Sequence, residues 1–136
     1  MNVQRASGTT DELLDLWDHA CKRLLNHRGG EALYATIRRD APSERLLESL
    51  VEEHALWTIA SDDHLLGFAV VRDRVVEGLF IAQHSRRQGA ATTLLTALVG
   101  SEAAPKDGFA LPGDRGMKSL YESFGWKARL LTMRGE

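Results

Sequence analysis

Three apolar runs constrain this chain more than any other feature. ALWTIA (55–60), LLGFAVV (65–71) and VVEGLFIA (75–82) follow in close order, with only SDDH and RDR between them. Short runs rich in branched and aromatic residues, bounded by polar turns, read as strands. Such brief polar connections suit antiparallel hairpins. The centre of the chain therefore predicts an antiparallel meander. A meander needs its faces covered, and the flanking segments must supply the cover.

Those flanks read mostly as helices. After a short first strand at VQRAS (3–7), Thr9 and Glu12 have capping-box spacing, and Leu13, Leu16, Trp17, Ala20 and Leu24 recur with helical period. That helix is expected to close at Arg28-Gly29-Gly30. Leu33, Tyr34 and Ile37 suggest a second short helix, and Ser43 an N-cap for a third carrying Leu46, Leu47, Leu50 and Val51. Beyond the meander, a helix is expected from about Ala90 to Ala103, with Ala91, Leu94, Leu95 and Leu98 on one face. Then come a loop (APKDG), a strand at FALP, a helix capped by Asp114 and closed by Gly125, and a last strand at WKARLLTM. Helices, meander, helix, strand, helix, strand: the order predicts an α+β (mixed α/β) layered domain with helices against one sheet.

At 136 residues, 43% hydrophobic and 26% charged, the chain is sized and composed for one globular domain over 1–136. A net charge of -2 with no basic stripe gives no reason to expect nucleic acid as a partner. Cys21 is the sole cysteine, so no internal disulfide can form, which fits a reducing compartment. No stretch has signal-peptide or membrane-helix character, so a soluble, cytoplasmic protein is expected. His19, His27, His54, His64 and His84 show no paired ligand spacing, so no metal is expected.

The segment HSRRQGAATTLL (84–95) carries the chemistry. It places two arginines and a glycine where the third run turns into a helix. A helix start exposes unpaired N–H groups at the positive end of its dipole, which is a ready phosphate site. Gly89 lets the backbone approach a ligand, Ala90 and Ala91 keep the first turn small, and Arg86 and Arg87 add positive charge. The Gly-Lys-Ser/Thr ending of a Walker loop is missing, and so is the Rossmann glycine pattern. A diphosphate on a different scaffold is the consequence.

Arg86-Arg87-Gln88-Gly89-Ala90-Ala91 resembles the [Q/R]-x-x-G-x-[G/A] signature of the GNAT acyltransferase superfamily. DRGMKSLYESFGW (114–126) is similar to the family's N-x-x-A-x-x-x-Y-x-x-x-G-[F/W] segment. Two signatures in order, each in a strand-to-helix context, cover roughly residues 55 to 135. Departures are Asp114 for the usual asparagine, Met117 for the alanine, and Gln83 for the proline after the fourth strand. The resemblance implies a mostly antiparallel twisted sheet flanked by helices, with an acyl-CoA cleft where the fourth and fifth strands splay. It implies acetyl transfer from acetyl-CoA to a primary amine, directly in a ternary complex and without a metal.

By the same resemblance, the site residues follow. Leu79, Phe80, Ile81 and Ala82 would offer backbone groups to the pantetheine arm, with the Ile81 N–H on the thioester carbonyl. Arg86, Arg87, Gln88, Gly89, Ala90, Ala91 and Thr92 would hold the phosphates, chiefly through backbone N–H groups. Tyr121 is the candidate acid for the leaving thiolate. Glu77 is the candidate base. A strand alternates with period two, so Glu77, Leu79 and Ile81 are expected to face one cleft. Trp17, Arg28, Tyr34 and Trp57 would line the acceptor side. Arg38 and Arg39 point weakly to an anionic acceptor. Cys21 reads as a small core residue. Two other readings stay open: an acyl-CoA sensor without turnover, and an interaction domain without cofactor. Exposed strand edges also leave a homodimer open.

Overall fold

In the computed structural model, which describes residues 1–135, one sheet carries five strands in sequence order. They are β1 (Asn2–Arg5), β2 (Leu56–Ser61), β3 (His64–Arg72), β4 (Val75–Ile81) and β5 (Asp107–Gly108). The first three junctions are antiparallel; β5 runs parallel to β4. Helices α1 (Asp11–Leu25), α2 (Gly30–Arg38) and α3 (Leu46–Glu52) cover one face, and α4 (Ala90–Val99) and α5 (Arg115–Ser123) the other. The mixed α/β expectation holds. Among the described residues no helix is long and apolar enough to cross a membrane.

The sheet divides the core. On the α1–α3 side, Leu13, Trp17, Leu24, Ile37, Leu46 and Leu50 pack on Leu56, Phe68 and Val70. On the α4–α5 side, Leu94, Leu95 and Leu98 pack on Trp57, Ile59, Val76 and Leu79. The central strands β2, β3 and β4 feed both clusters, since side chains alternate between the faces of a sheet.

Several expected boundaries move. Thr10, not Thr9, caps α1, accepting from Leu13 N at 3.1 Å, and Glu12 instead accepts from Leu65 N. Gly29 and Gly30 do not close α1. It ends at Asn26, and the glycines open α2 because Gly29 sits at φ 79°, where L side chains are strained. Ser43 begins a single 3-10 turn without a side-chain cap. Helix α4 stops at Val99, where Gly100 and the Ser101 hydroxyl take its last carbonyls.

The two late strands also differ. The strand after α4 is Asp107–Gly108, and FALP leaves the sheet as a loop, since Pro112 has no N–H to give and Leu111 packs toward the α1–α3 side. WKARLLTM forms no strand: Leu130 (89% exposed), Leu131 and Met133 lie in solvent. A strand needs a neighbour to pair with, and two-residue β5 offers almost no edge.

Candidate active site

β4 sets the site. Its pairing with β3 runs Val70↔Gly78, then Val71↔Val76, so Glu77 has no partner and forms a β-bulge. Two hydrogen bonds show what the bulge does. Phe109 N donates to Val76 O at 3.0 Å, so Val76 faces the β5 edge; Ala82 N donates to Leu66 O at 2.7 Å, so Ala82 faces β3. Residues an even number apart in a regular strand face the same edge. Here they face opposite edges, because Glu77 is the odd residue. Past the bulge, the N–H groups of Leu79 and Ile81 therefore turn toward β5.

β5 is not there to meet them. It pairs with β4 only at Val75↔Asp107 and Val76↔Gly108, and then the two strands part. Between Gly78 and Ile81, β4 has β3 on one side and an open gap on the other. Of the four residues expected to offer backbone groups there, Leu79 and Ile81 turn their N–H groups to the unpaired side, while Phe80 and Ala82 turn theirs to β3.

The gap leads into the phosphate loop. After a 3-10 turn at Gln83–Ser85, Arg87 (φ 66°) and Gly89 (φ 80°) are both left-handed, and α4 begins at Ala90. No side chain caps α4, so the N–H groups of Ala90, Ala91 and Thr92 start the helix unsatisfied. Arg86, Arg87, Gln88 and Gly89 are exposed, and nothing lies within 4 Å of where a Gly89 side chain would begin. Backbone donors, a dipole end and two guanidinium groups share one open surface.

Tyr121 comes from α5 against β5, beside Val76. Its ring stacks on Trp126 (centroids 5.3 Å apart) and lies on Gly108, where an added Cβ would come within 2.3 Å of the ring. The hydroxyl donates to Phe109 O at 3.0 Å, at the residue where β5 leaves β4. Burial, then the nearby Asp114 carboxylate, holds its phenol well above the ordinary value of 10. The group stays protonated through neutral pH, as a proton donor must. Asp114 caps α5 through Met117 N at 3.1 Å.

Glu77 lies elsewhere. The bulge turns it, with Gly78 and Phe80, to the α1–α3 face, while Leu79 and Ile81 point to the α4 face; the expected shared face is corrected by that one residue. Its carboxylate is engaged. Oε1 accepts from Arg72 Nε at 2.8 Å and Nη2 at 2.6 Å, and Oε2 from Arg39 Nη2 at 3.4 Å. Guanidinium groups contact both oxygens, and the carboxylate lies on the opposite face of the sheet from Leu79 and Ile81. Arg72 was not singled out in the sequence. Its one signal there is a charge where β3 should still be pointing inward.

The acceptor-side candidates divide. Trp17 and Tyr34 lie together with Cys21, Phe68 and Phe80 around a void of about 10 Å³, room for a single water at most. Trp57 sits across the sheet in the α4–α5 cluster, under the Arg5 guanidinium, and cannot join them. Arg28 is exposed in the α1–α2 turn. Arg38 is spent on Ala41 O, and Arg39 on Asp73 and Glu77. Burial, helped by Asp18, pushes the Cys21 thiol up to about 11, so at neutral pH it is not a nucleophile. A cleft of about 430 Å³ lies at the β3–β4 hairpin among Arg5, Arg39, Glu53, Arg72 and Arg74. That is the far end of β4 from the phosphate loop, about 20 Å along the strand.

Residues 11–132 match the family described as Acetyltransferase (GNAT) domain. No curated protein matches the chain. Among solved structures, the aminoglycoside N-acetyltransferase AAC(6')-Iy in complex with CoA is similar at TM-score 0.57 and 15% identity, covering 99% of each chain. A ribosomal-protein-alanine N-acetyltransferase from Brucella melitensis biovar Abortus 2308 is similar at TM-score 0.50 and 21% identity, over 88% of this chain and 94% of that one. A putative GNAT acetyltransferase from Xanthomonas campestris is similar at TM-score 0.52 and 15% identity, over 100% and 94%. At these identities the likeness is one of fold.

Proposed function

The chain belongs to the GNAT acetyltransferase family, and on that premise we propose that it moves an acetyl group from acetyl-CoA to a primary amine within a ternary complex. The observation that carries this reading is an unpaired strand edge that leads along the chain into an uncapped helix start. The β4 edge, with the N–H groups of Leu79 and Ile81 turned outward, runs into the uncapped start of α4. A diphosphate at Gly89 to Thr92 would leave the pantetheine arm along the gap and the thioester near Ile81.

The chemistry then balances. The neutral amine nitrogen bonds to the acetyl carbon, and the Ile81 N–H donates to the carbonyl oxygen as charge develops there. The C–S bond breaks, and the sulfur takes a proton from Tyr121, which recovers one from the proton the amine gives up. Arg86, Arg87 and Gln88 flank the phosphates. The acceptor is a primary amine, on a small molecule or on a protein.

A catalytically silent acyl-CoA sensor is the second reading. The engaged Glu77 carboxylate and the Tyr121 proton donated to Phe109 O favour it.

Calorimetric titration with acetyl-CoA, CoA and ADP tests the first step. Micromolar binding of acetyl-CoA, with CoA close behind, is the expected result; no heat and no thermal stabilisation would sink both readings. Turnover on any member of an amine panel separates enzyme from sensor. In the enzyme, Tyr121→Phe is expected to lower kcat by about a hundredfold while acetyl-CoA affinity holds. Unchanged kcat would make the tyrosine structural.

A further inference from the structure

The bulge in β4 needs something to hold it. It leaves Glu77 outside the ladder, and a one-residue slip would restore regular pairing. Such a slip would turn the N–H groups of Leu79 and Ile81 back toward β3 and away from the gap. Beyond the bulge, packing resists such a slip, since it would exchange the faces of Leu79 and Phe80; at the bulge itself Gly78 has no side chain to pack.

Arg72 opposes the slip there. Its guanidinium grips Glu77 through two nitrogens, and side-chain exposures of 8% for Arg72 and 5% for Glu77 make this a buried pair. Both nitrogens converge on Oε1, and charge-assisted hydrogen bonds of this length are strong. The same Nη2 also donates to Thr36 O and Ile37 O, the orphan carbonyls at the end of α2, and Nη1 to Glu53. The clasp therefore ties the bulge to a helix end as well as to the neighbouring strand. Removing either partner would leave the other's buried charge with only its longer ion pair, Glu77 with Arg39 or Arg72 with Glu53.

We infer that Arg72 is a positioning residue: by clasping Glu77 it holds the odd residue of β4 out of the ladder and keeps the Ile81 N–H aimed into the β4–β5 gap. Glu77 is then the anchor of the bulge and not the base. The inference rests on the proposed acyl-CoA reading of that gap.

The test uses the full chain and the variants Glu77→Gln, Arg72→Lys and Glu77→Gln/Arg72→Met. Acetyl-CoA binding is measured by calorimetry, and kcat, KM and their pH profiles on an accepted amine. Glu77→Gln keeps the shape and most hydrogen bonds, so it should fold. Arg72→Lys keeps the charge without the fork. Glu77→Gln and Arg72→Lys are each expected to raise the acetyl-CoA Kd and KM on the order of ten- to a hundredfold. The double variant should be no worse than the weaker single, and the pH profile should keep its shape. Suppose instead that Glu77→Gln leaves Kd and KM unchanged, lowers kcat alone and removes the acidic limb of the profile. Glu77 is then the base and the inference is wrong. Tight binding by all three variants would also overturn it. Absence of binding by the unaltered chain would instead defeat the acyl-CoA reading beneath it.

Discussion

Gly89→Glu is expected to abolish measurable acetyl-CoA binding while the protein still melts cooperatively. The position is open, with nothing within 4 Å of the new Cβ, so the side chain meets no core. Its left-handed backbone (φ 80°) adds strain of about 1–2 kcal/mol, which a domain of this size tolerates. Binding suffers far more. The carboxylate would stand at the start of α4, where the phosphates are to sit, and each like-charge pair at contact distance costs about 1–4 kcal/mol. Two or more such pairs remove micromolar affinity. Gly89→Ala is the control: it brings the strain without the charge and should weaken binding only modestly. Calorimetry on both variants decides the matter, and normal affinity in Gly89→Glu would show that this loop does not hold the phosphates.

Gly30→Ala carries the largest expected loss of stability, about 3–5 kcal/mol. A Cβ there would stand 1.6 Å from Leu24 O and 2.7 Å from Leu24 C. Both are backbone atoms at the end of α1, so no rotamer change relieves the clash. The turn must open, parting α1 from α2 and disturbing Leu24, Ile37 and Trp17 in the cluster between them. Gly116→Ala makes the contrast. Its nearest neighbour would be Asp114 Oδ1 at an ordinary 3.7 Å, and within α5 the change should stabilise by up to about 1 kcal/mol. Urea melts of the two variants should move in opposite directions. A Gly30→Ala midpoint close to that of the unaltered protein would mean that the α1–α2 turn is looser than its geometry.

Much of this fold was legible because its signals are local. The meander turns at SDDH and RDR, the α5 cap is Asp114, and the loop before α4 has its glycine where the backbone turns left-handed. What was not legible depends on distant partners. Glu77 reads as an alternating strand residue because a bulge has no composition of its own, and only the pairing with β3 reveals it. Its partner Arg72 stands five residues earlier, across a hairpin, where sequence offers no way to see the two side chains meet. Trp17 and Trp57 both look like pocket linings, and the sheet between them is a matter of strand parity. WKARLLTM has the letters of a strand, but a strand is a relation between two segments, and the second is missing here.

The bulge also decides which changes in chain length this site can survive. The bulge absorbs one extra residue of β4 and leaves the pairing on either side of it in register, Val71 opposite Val76 and Val70 opposite Gly78. Losing Glu77 alone would close the bulge, keep both pairs and keep the aim of Ile81. Losing Glu77 and Gly78 together would bring Leu79 opposite Val70 and reverse that aim without altering any residue of the phosphate loop. In this stretch of β4 a variant shorter by one residue is therefore nearer in function than a variant shorter by two.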